Sequence, residues 1–165
     1  MTQNLKFISP RYGEMDIRNL MKEISSFVEE DPDSTYRLVI GTDSQVKKSR
    51  GNAECDFVTA IIIHRLGFGA RYFWRKEKLN TAPVLRDKIY KETMMSLDLA
   101  NDLVPDLKRH MNGSNYALEI HIDVGSVGPT REMIREVVGM VTGSGYVAKT
   151  KPDSWGASKV ADRYT

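Results

Sequence analysis

Apolar positions along the chain change period several times, and each change marks an element. Between Asp16 and Glu30, the residues Ile17, Leu20, Met21, Ile24 and Phe27 recur at helical spacing, and Asp31-Pro32-Asp33 stops the run. This pattern predicts an N-terminal helix. Tyr36 to Thr42 (YRLVIGT) is β-branched and apolar and ends at Asp43. Phe57 to His64 (FVTAIIIH) is an unbroken apolar run of the kind carried by strands covered on both faces. Ala70 to Lys76 alternates, with Tyr72 and Trp74 on one side and Arg71, Phe73 and Arg75 on the other. Leu66-Gly67-Phe68-Gly69 joins it closely to the strand before. The three strands are expected to form an antiparallel meander.

After Thr81-Ala82-Pro83, helical spacing runs from Val84 to His110, and Pro105 is expected to bend this helix or end it early. Tyr116 to Asp123 alternates, with Tyr116, Leu118, Ile120 and Ile122 on one face. Gly128-Pro129-Thr130 then opens a helix carrying Met133, Ile134, Val137, Val138 and Val141. Gly143-Ser144-Gly145 closes it, Tyr146 to Lys149 reads as a short strand, and a last helix starts near Ser154. The expected architecture is α/β: a leading helix followed by βββαβαβα, giving a mixed five-stranded sheet flanked by helices. With 165 residues, 41% of them hydrophobic, and no repeat or long linker, one domain over 1–165 is expected. Residues 1–34 form its helical extension and 35–165 its core.

No apolar stretch approaches membrane-spanning length, and Met1 to Pro10 lacks the basic-then-apolar order of a leader, so a soluble cytoplasmic protein is expected. The single cysteine, Cys55, has no partner for a disulfide or zinc and reads as a small strand residue. A formal charge of +2 and a pI near 8.6 permit nucleic-acid binding without indicating it.

Candidate chemistry comes from acids that the periodicity places against the core. Asp43 ends a buried strand in Ile-Gly-Thr-Asp-Ser-Gln, where a turn-capping aspartate is the competing reading. Glu92 falls within about 20° of Leu85 on the helical wheel and shares a stripe with Ile89, Leu99 and Leu103, whereas Asp87 and Asp98 face the other way. Asp123 ends the strand Glu119-Ile120-His121-Ile122-Asp123, on one face with Glu119 and His121, and Gly125 beyond it lets backbone come close. Asp162 shares a helical stripe with Trp155 and Ser158, and a solvated helix-end acid is its plain reading. Convergent carboxylates repel one another and are tolerated chiefly when a hard divalent cation such as Mg²⁺ neutralises them. Two such ions about 4 Å apart suit phosphodiester hydrolysis.

In order and element type these residues resemble the ribonuclease H family, and more closely its YkuK-type branch of small bacterial proteins, over roughly Tyr36 to the C-terminus. The resemblance implies a ribonuclease H-like fold with an added N-terminal helix, and a two-metal site for Mg²⁺ or Mn²⁺. It implies as ligands Asp43 in IGTDSQ, Glu92 in KETMMSLDLANDL, Asp123 in IHIDVG and Asp162 in ASKVADRYT. Asp153 competes with Asp162 for the last place and otherwise reads as a helix N-cap. Classical members also carry a mobile-loop histidine near the final carboxylate; here His64, His110 and His121 lie elsewhere in the sequence.

Lys47, Lys48 and Arg50 after the first strand, and Lys149, Lys151 and Lys159 around the last turn, could flank a cleft and hold phosphates without reading sequence. Solvated loop lysines are the equal alternative. Of the aromatics, Trp155 is the better candidate for base stacking and Tyr72 and Trp74 for packing. The leading expectation is a metal-dependent nuclease acting on RNA, DNA or their hybrid, with no membrane association. The alternative is a noncatalytic nucleic-acid-binding or protein-interaction module. An actin-like phosphate loop at Ile-Gly-Thr-Asp ranks low, because that fold needs two related domains.

Overall fold

The computed structural model of the protein describes residues 5–111, 116–155 and 159–160. A hairpin of β1 (Lys6–Ser9) and β2 (Gly13–Asp16) leads into α1 (Ile17–Glu29). The meander β3 (Tyr36–Ser49), β4 (Asn52–Arg65) and β5 (Gly69–Leu79) follows, and then the long helix α2 (Leu85–His110). Strand β6 (Tyr116–His121), a 3₁₀ turn at Arg131–Met133, α3 (Ile134–Gly143) and β7 (Val147–Lys149) come next, and Trp155 is again helical.

The strands form one mixed sheet in the order β2-β1-β5-β4-β3-β6-β7, so the class is the expected one with seven strands in place of five. The additions are β1 and β2, which make the N-terminal extension a hairpin followed by a helix. At four residues each, these strands are too short for alternation to stand out, although Phe7 is buried and its neighbour Ile8 is exposed as a strand requires. Two short contacts set the turn: the Ser9 hydroxyl oxygen accepts from the backbone N–H groups of Arg11 and Tyr12 at 3.2 Å each. The Asp16 side chain then caps α1 by accepting from the Asn19 N–H at 2.8 Å. Ile8 pairs with Trp74, which attaches the hairpin to β5.

Two further expectations change. The β3–β4 hairpin is longer than the apolar runs, reaching out to Ser49↔Asn52, and turns through Arg50 (φ 50°) and Gly51 (φ 79°), the left-handed pair that a two-residue hairpin needs. Lys47 and Lys48 therefore belong to β3 and not to a loop. Helix α2 passes through Pro105 and ends only at His110, because Leu103 and Leu107 on either side are fully buried and hold the helix to the sheet.

Helix α2 covers the face carrying Leu38, Ile40, Ile61, Ile63 and Ile120, with Ile89, Leu99 and Leu103 directed into it. Polar contacts also cross this layer, among them the Thr42 hydroxyl, 2.8 Å from that of Ser96 on α2 and 3.0 Å from that of Thr59 on β4. The opposite face is buried at its centre too, at Val39, Val58, Ala60 and Ile62, which accounts for the unbroken apolar run in β4. Truncating Leu103 to Ala should cost about 2–5 kcal/mol, while truncating Met94, on the exposed side of α2, should cost under about 0.5 kcal/mol; urea denaturation separates the two.

Candidate functional site

The parallel ladder between β3 and β6 ends at Gly41↔His121. Asp43 lies two residues past that point within β3, and Asp123 lies two residues past it beyond β6, where the Val124 N–H turns back to Ile122 O at 2.9 Å. The chain after β6 is held on its other side, where the Ile122 N–H donates to Lys149 O at 2.9 Å and the Lys151 N–H to Val124 O at 2.8 Å. Both acids are half-buried. Asp43 Oδ1 accepts from the Ser44 N–H at 2.8 Å, and Asp123 Oδ1 pairs with Lys151 Nζ at 3.0 Å.

Glu92 approaches from α2. It is 3% exposed, in the stripe that also buries Ile89, Leu99 and Leu103, while Asp87 and Asp98 are exposed as their phase requires. Its Oε1 accepts from the Ser44 hydroxyl, and its Oε2 is buried with no hydrogen-bond partner. The carboxyl is pushed up to about 8. Burial is the largest cause and the negative charges of Asp43 and Asp123 add to it, against the Ser44 hydrogen bond and the Lys88 charge. Two of the other expected acids, Asp43 and Asp123, therefore act electrostatically on Glu92. Among the described residues, however, no three Asp, Glu, His or Cys side chains already surround one point as metal ligands. Asp162 and Ser158 lie outside the described residues. Asp153 is exposed in the turn before the last helix, its N–H donating to Thr150 O at 2.7 Å.

Several participants escaped the sequence reading. Ser44 alternates with Asp43 and so faces α2, where it orients Glu92; IGTDSQ contained this signal in its two-residue repeat. Glu119 and His121 are both buried on the Asp43 face, His121 Nε2 lying 3.1 Å from Glu119 Oε1, while Glu119 Oε2 accepts from Arg37 Nε at 2.9 Å. Burial pushes the imidazole below its ordinary value although the Glu119 hydrogen bond opposes this, so neutral His121 is favoured near neutral pH. Trp155 meets the rings of His121 and His64 edge-on, with centroids 5.7 and 6.1 Å apart. These two histidines are thus nearer to the last helix than their sequence positions imply, and the indole packs on imidazoles across β3. Lys47 pairs at 3.0 Å with Asp56, a buried acid that Lys76 also approaches at 3.6 Å. Cys55 is free and buried, and burial pushes its thiol up, in keeping with a structural role.

Asp43, Glu92 and Asp123 offer only oxygen donors, one of them an orphaned buried oxygen, and the neighbouring charges disfavour ionisation of Glu92 in the metal-free protein. That donor set fits a hard divalent cation such as Mg²⁺ or Mn²⁺ and does not fit a thiophilic metal. Among the described residues no helix is long and apolar enough to cross a membrane.

A family model described as ribonuclease H-like matches residues 19–165. The protein YkuK of Bacillus subtilis (strain 168), itself uncharacterized, is 35% identical over an alignment covering all of this chain and 99% of that protein. No solved structure gives a significant match. A seven-stranded mixed sheet with acids at the ends of its central parallel pair, a match over nearly the whole chain and a full-length relative agree: the chain belongs to the ribonuclease H-like family, in its YkuK-type branch.

Proposed function

We propose that the protein is a metal-dependent nuclease that hydrolyses phosphodiesters of RNA, DNA or their hybrid, with Asp43, Glu92, Asp123 and Asp162 as its carboxylate ligands. The observation that carries this reading is Glu92, a buried carboxyl with an orphaned oxygen, opposed by the charges of Asp43 and Asp123. A core position normally excludes such a residue unless a cation offsets the cost. When bound, Mg²⁺ or Mn²⁺ would supply Lewis-acid stabilisation of the charge developing on the phosphodiester. The chain's own contributions are separate. Ser44 orients Glu92, Asp43 and Asp123 flank the end of the β3–β6 ladder, and the exposed Lys48 and Lys151 would attract the phosphate backbone. Ribonuclease H-like membership supports a nucleic-acid substrate over other phosphodiesters.

One observation favours the noncatalytic binding or protein-interaction module as the second reading: Asp123 already has a cation, Lys151, at 3.0 Å. Labelled RNA, DNA and hybrid strands incubated with Mg²⁺ or Mn²⁺ separate the two. The nuclease reading expects metal-dependent products from wild type and at least a hundredfold loss in Asp43→Asn, roughly the 2.7 kcal/mol that one lost charge-stabilising group costs. Equal cleavage by the variant rules out the proposed site; no products from any strand support the binding module.

Glu92 gives a test that does not need turnover. Its folded carboxyl lies near 8 against an ordinary 4.5, so without metal the folded state holds a proton that the unfolded state releases. The contribution of Glu92 to stability should therefore be fully present below about pH 4.5 and be lost as pH rises through about 8, by on the order of a few kcal/mol. Glu92→Gln should remove this decline, and Mn²⁺ at pH 8 should raise the melting temperature of wild type more than that of the variant. Identical pH profiles for the two proteins would refute the assignment.

A further inference from the structure

The geometry points to Lys151 as an additional residue of this site: an internal counter-cation that holds Asp123 while no divalent ion is bound, and contacts a substrate phosphate once one is. The inference rests on the metal-site reading above and assigns to that site a cation of its own.

Lys151 differs from a surface lysine in how it is built in. Its backbone N–H donates to Val124 O at 2.8 Å, fixing its Cα beside the residue that follows Asp123. Its stem runs over Gly125, where an added Cβ would lie 3.3 Å from Lys151 Cβ and 3.5 Å from Lys151 Cδ. Glycine at that position leaves the room the stem occupies. From there the ammonium reaches Asp123 Oδ1 at 3.0 Å. Backbone, stem and head are all placed, and they converge on Asp123.

The pair is suited to exchange. The lysine side chain is 56% exposed and that of Asp123 30%, so solvent screens their attraction and the pair is weak. A divalent cation binding the same oxygen brings twice the charge and also relieves Glu92 and Asp43, which Lys151 at Asp123 does not reach by any ion pair among the described residues. The displaced ammonium stays tethered next to Asp123. Any anion drawn to ions at that carboxylate falls within its reach, and a phosphodiester oxygen is the acceptor that a compact, flexible point charge suits.

Calorimetric titration of Mn²⁺ into wild type, Lys151→Met and Lys151→Arg, paired with binding of a fluorescent single-stranded oligonucleotide at several salt concentrations, tests both halves. Removing the competitor should tighten Mn²⁺ binding about three- to tenfold in Lys151→Met, and Lys151→Arg, which keeps the ion pair, should stay within about twofold of wild type. In the presence of Mn²⁺, the slope of log affinity against log salt should fall in Lys151→Met by about 0.7, one phosphate contact to a single strand. If wild type and Lys151→Met bind Mn²⁺ equally well, the counter-cation role is overturned while the metal site stands. An unchanged salt slope overturns the phosphate contact. Absence of Mn²⁺ binding in all three proteins overturns this inference and the metal-site reading together.

Discussion

Strand β3 is hydrogen-bonded along both edges, and the candidate site follows from the unequal lengths of those two ladders. With β4 it pairs from Tyr36↔Arg65 to Ser49↔Asn52, whereas with β6 it pairs only as far as Gly41↔His121. Beyond that point β3 is supported by its antiparallel neighbour, and the chain after β6 is drawn towards β7. The carboxyl ends of the parallel pair are where open α/β sheets characteristically bind ligands, since side chains there escape the close packing of the sheet centre. Asp43 and Asp123 lie just past the end of that ladder, and α2, packed on the face of β3 that carries Ser44, brings Glu92 within electrostatic range of both.

Two acids in this fold are exposed to the same small degree, 3%, and respond to burial in opposite ways. For Asp56, burial alone would raise the carboxyl, but the Lys47 hydrogen bond and the charges of Lys76 and Lys78 outweigh it and hold the group below the usual carboxylate range. It is a paired structural charge. Glu92 rises to about 8 chiefly through burial, with the charges of Asp43 and Asp123 adding to it against the Ser44 hydrogen bond and Lys88, and its second oxygen has no hydrogen-bond partner. Both lose solvent contact, but desolvation dominates at the deeper Glu92, while the surrounding lysines outweigh it at Asp56.

Much of this was legible in the chain because period and burial agree. The helical phase of Glu92 against Ile89, Leu99 and Leu103 follows from local pattern and reappears in three dimensions, whereas Asp43, expected to end its strand, lies within β3 and is past the end only of the parallel ladder. Other features depend on contacts between distant segments, which periodicity does not encode. The β1–β2 hairpin is too short to show alternation and is held by one pairing to β5, Ile8↔Trp74. The Arg37–Glu119–His121 chain and the packing of Trp155 on His64 and His121 join four separate stretches of sequence. Pro105 does not end the helix: α2 runs on to His110, as its helical spacing predicts, with Leu103 and Leu107 buried on either side of the proline.

The claim at the centre is that Asp43, Glu92 and Asp123 share one divalent-cation site. Anomalous diffraction from crystals grown with Mn²⁺ addresses it directly, because the signal locates the ion without reference to activity. A manganese peak in contact with the carboxylates of Asp43 and Asp123 and within one ligand or bridging water of Glu92, with Lys151 withdrawn from Asp123, is the expected result. Strong manganese peaks confined to other parts of the surface, with the Lys151–Asp123 pair intact, would contradict it.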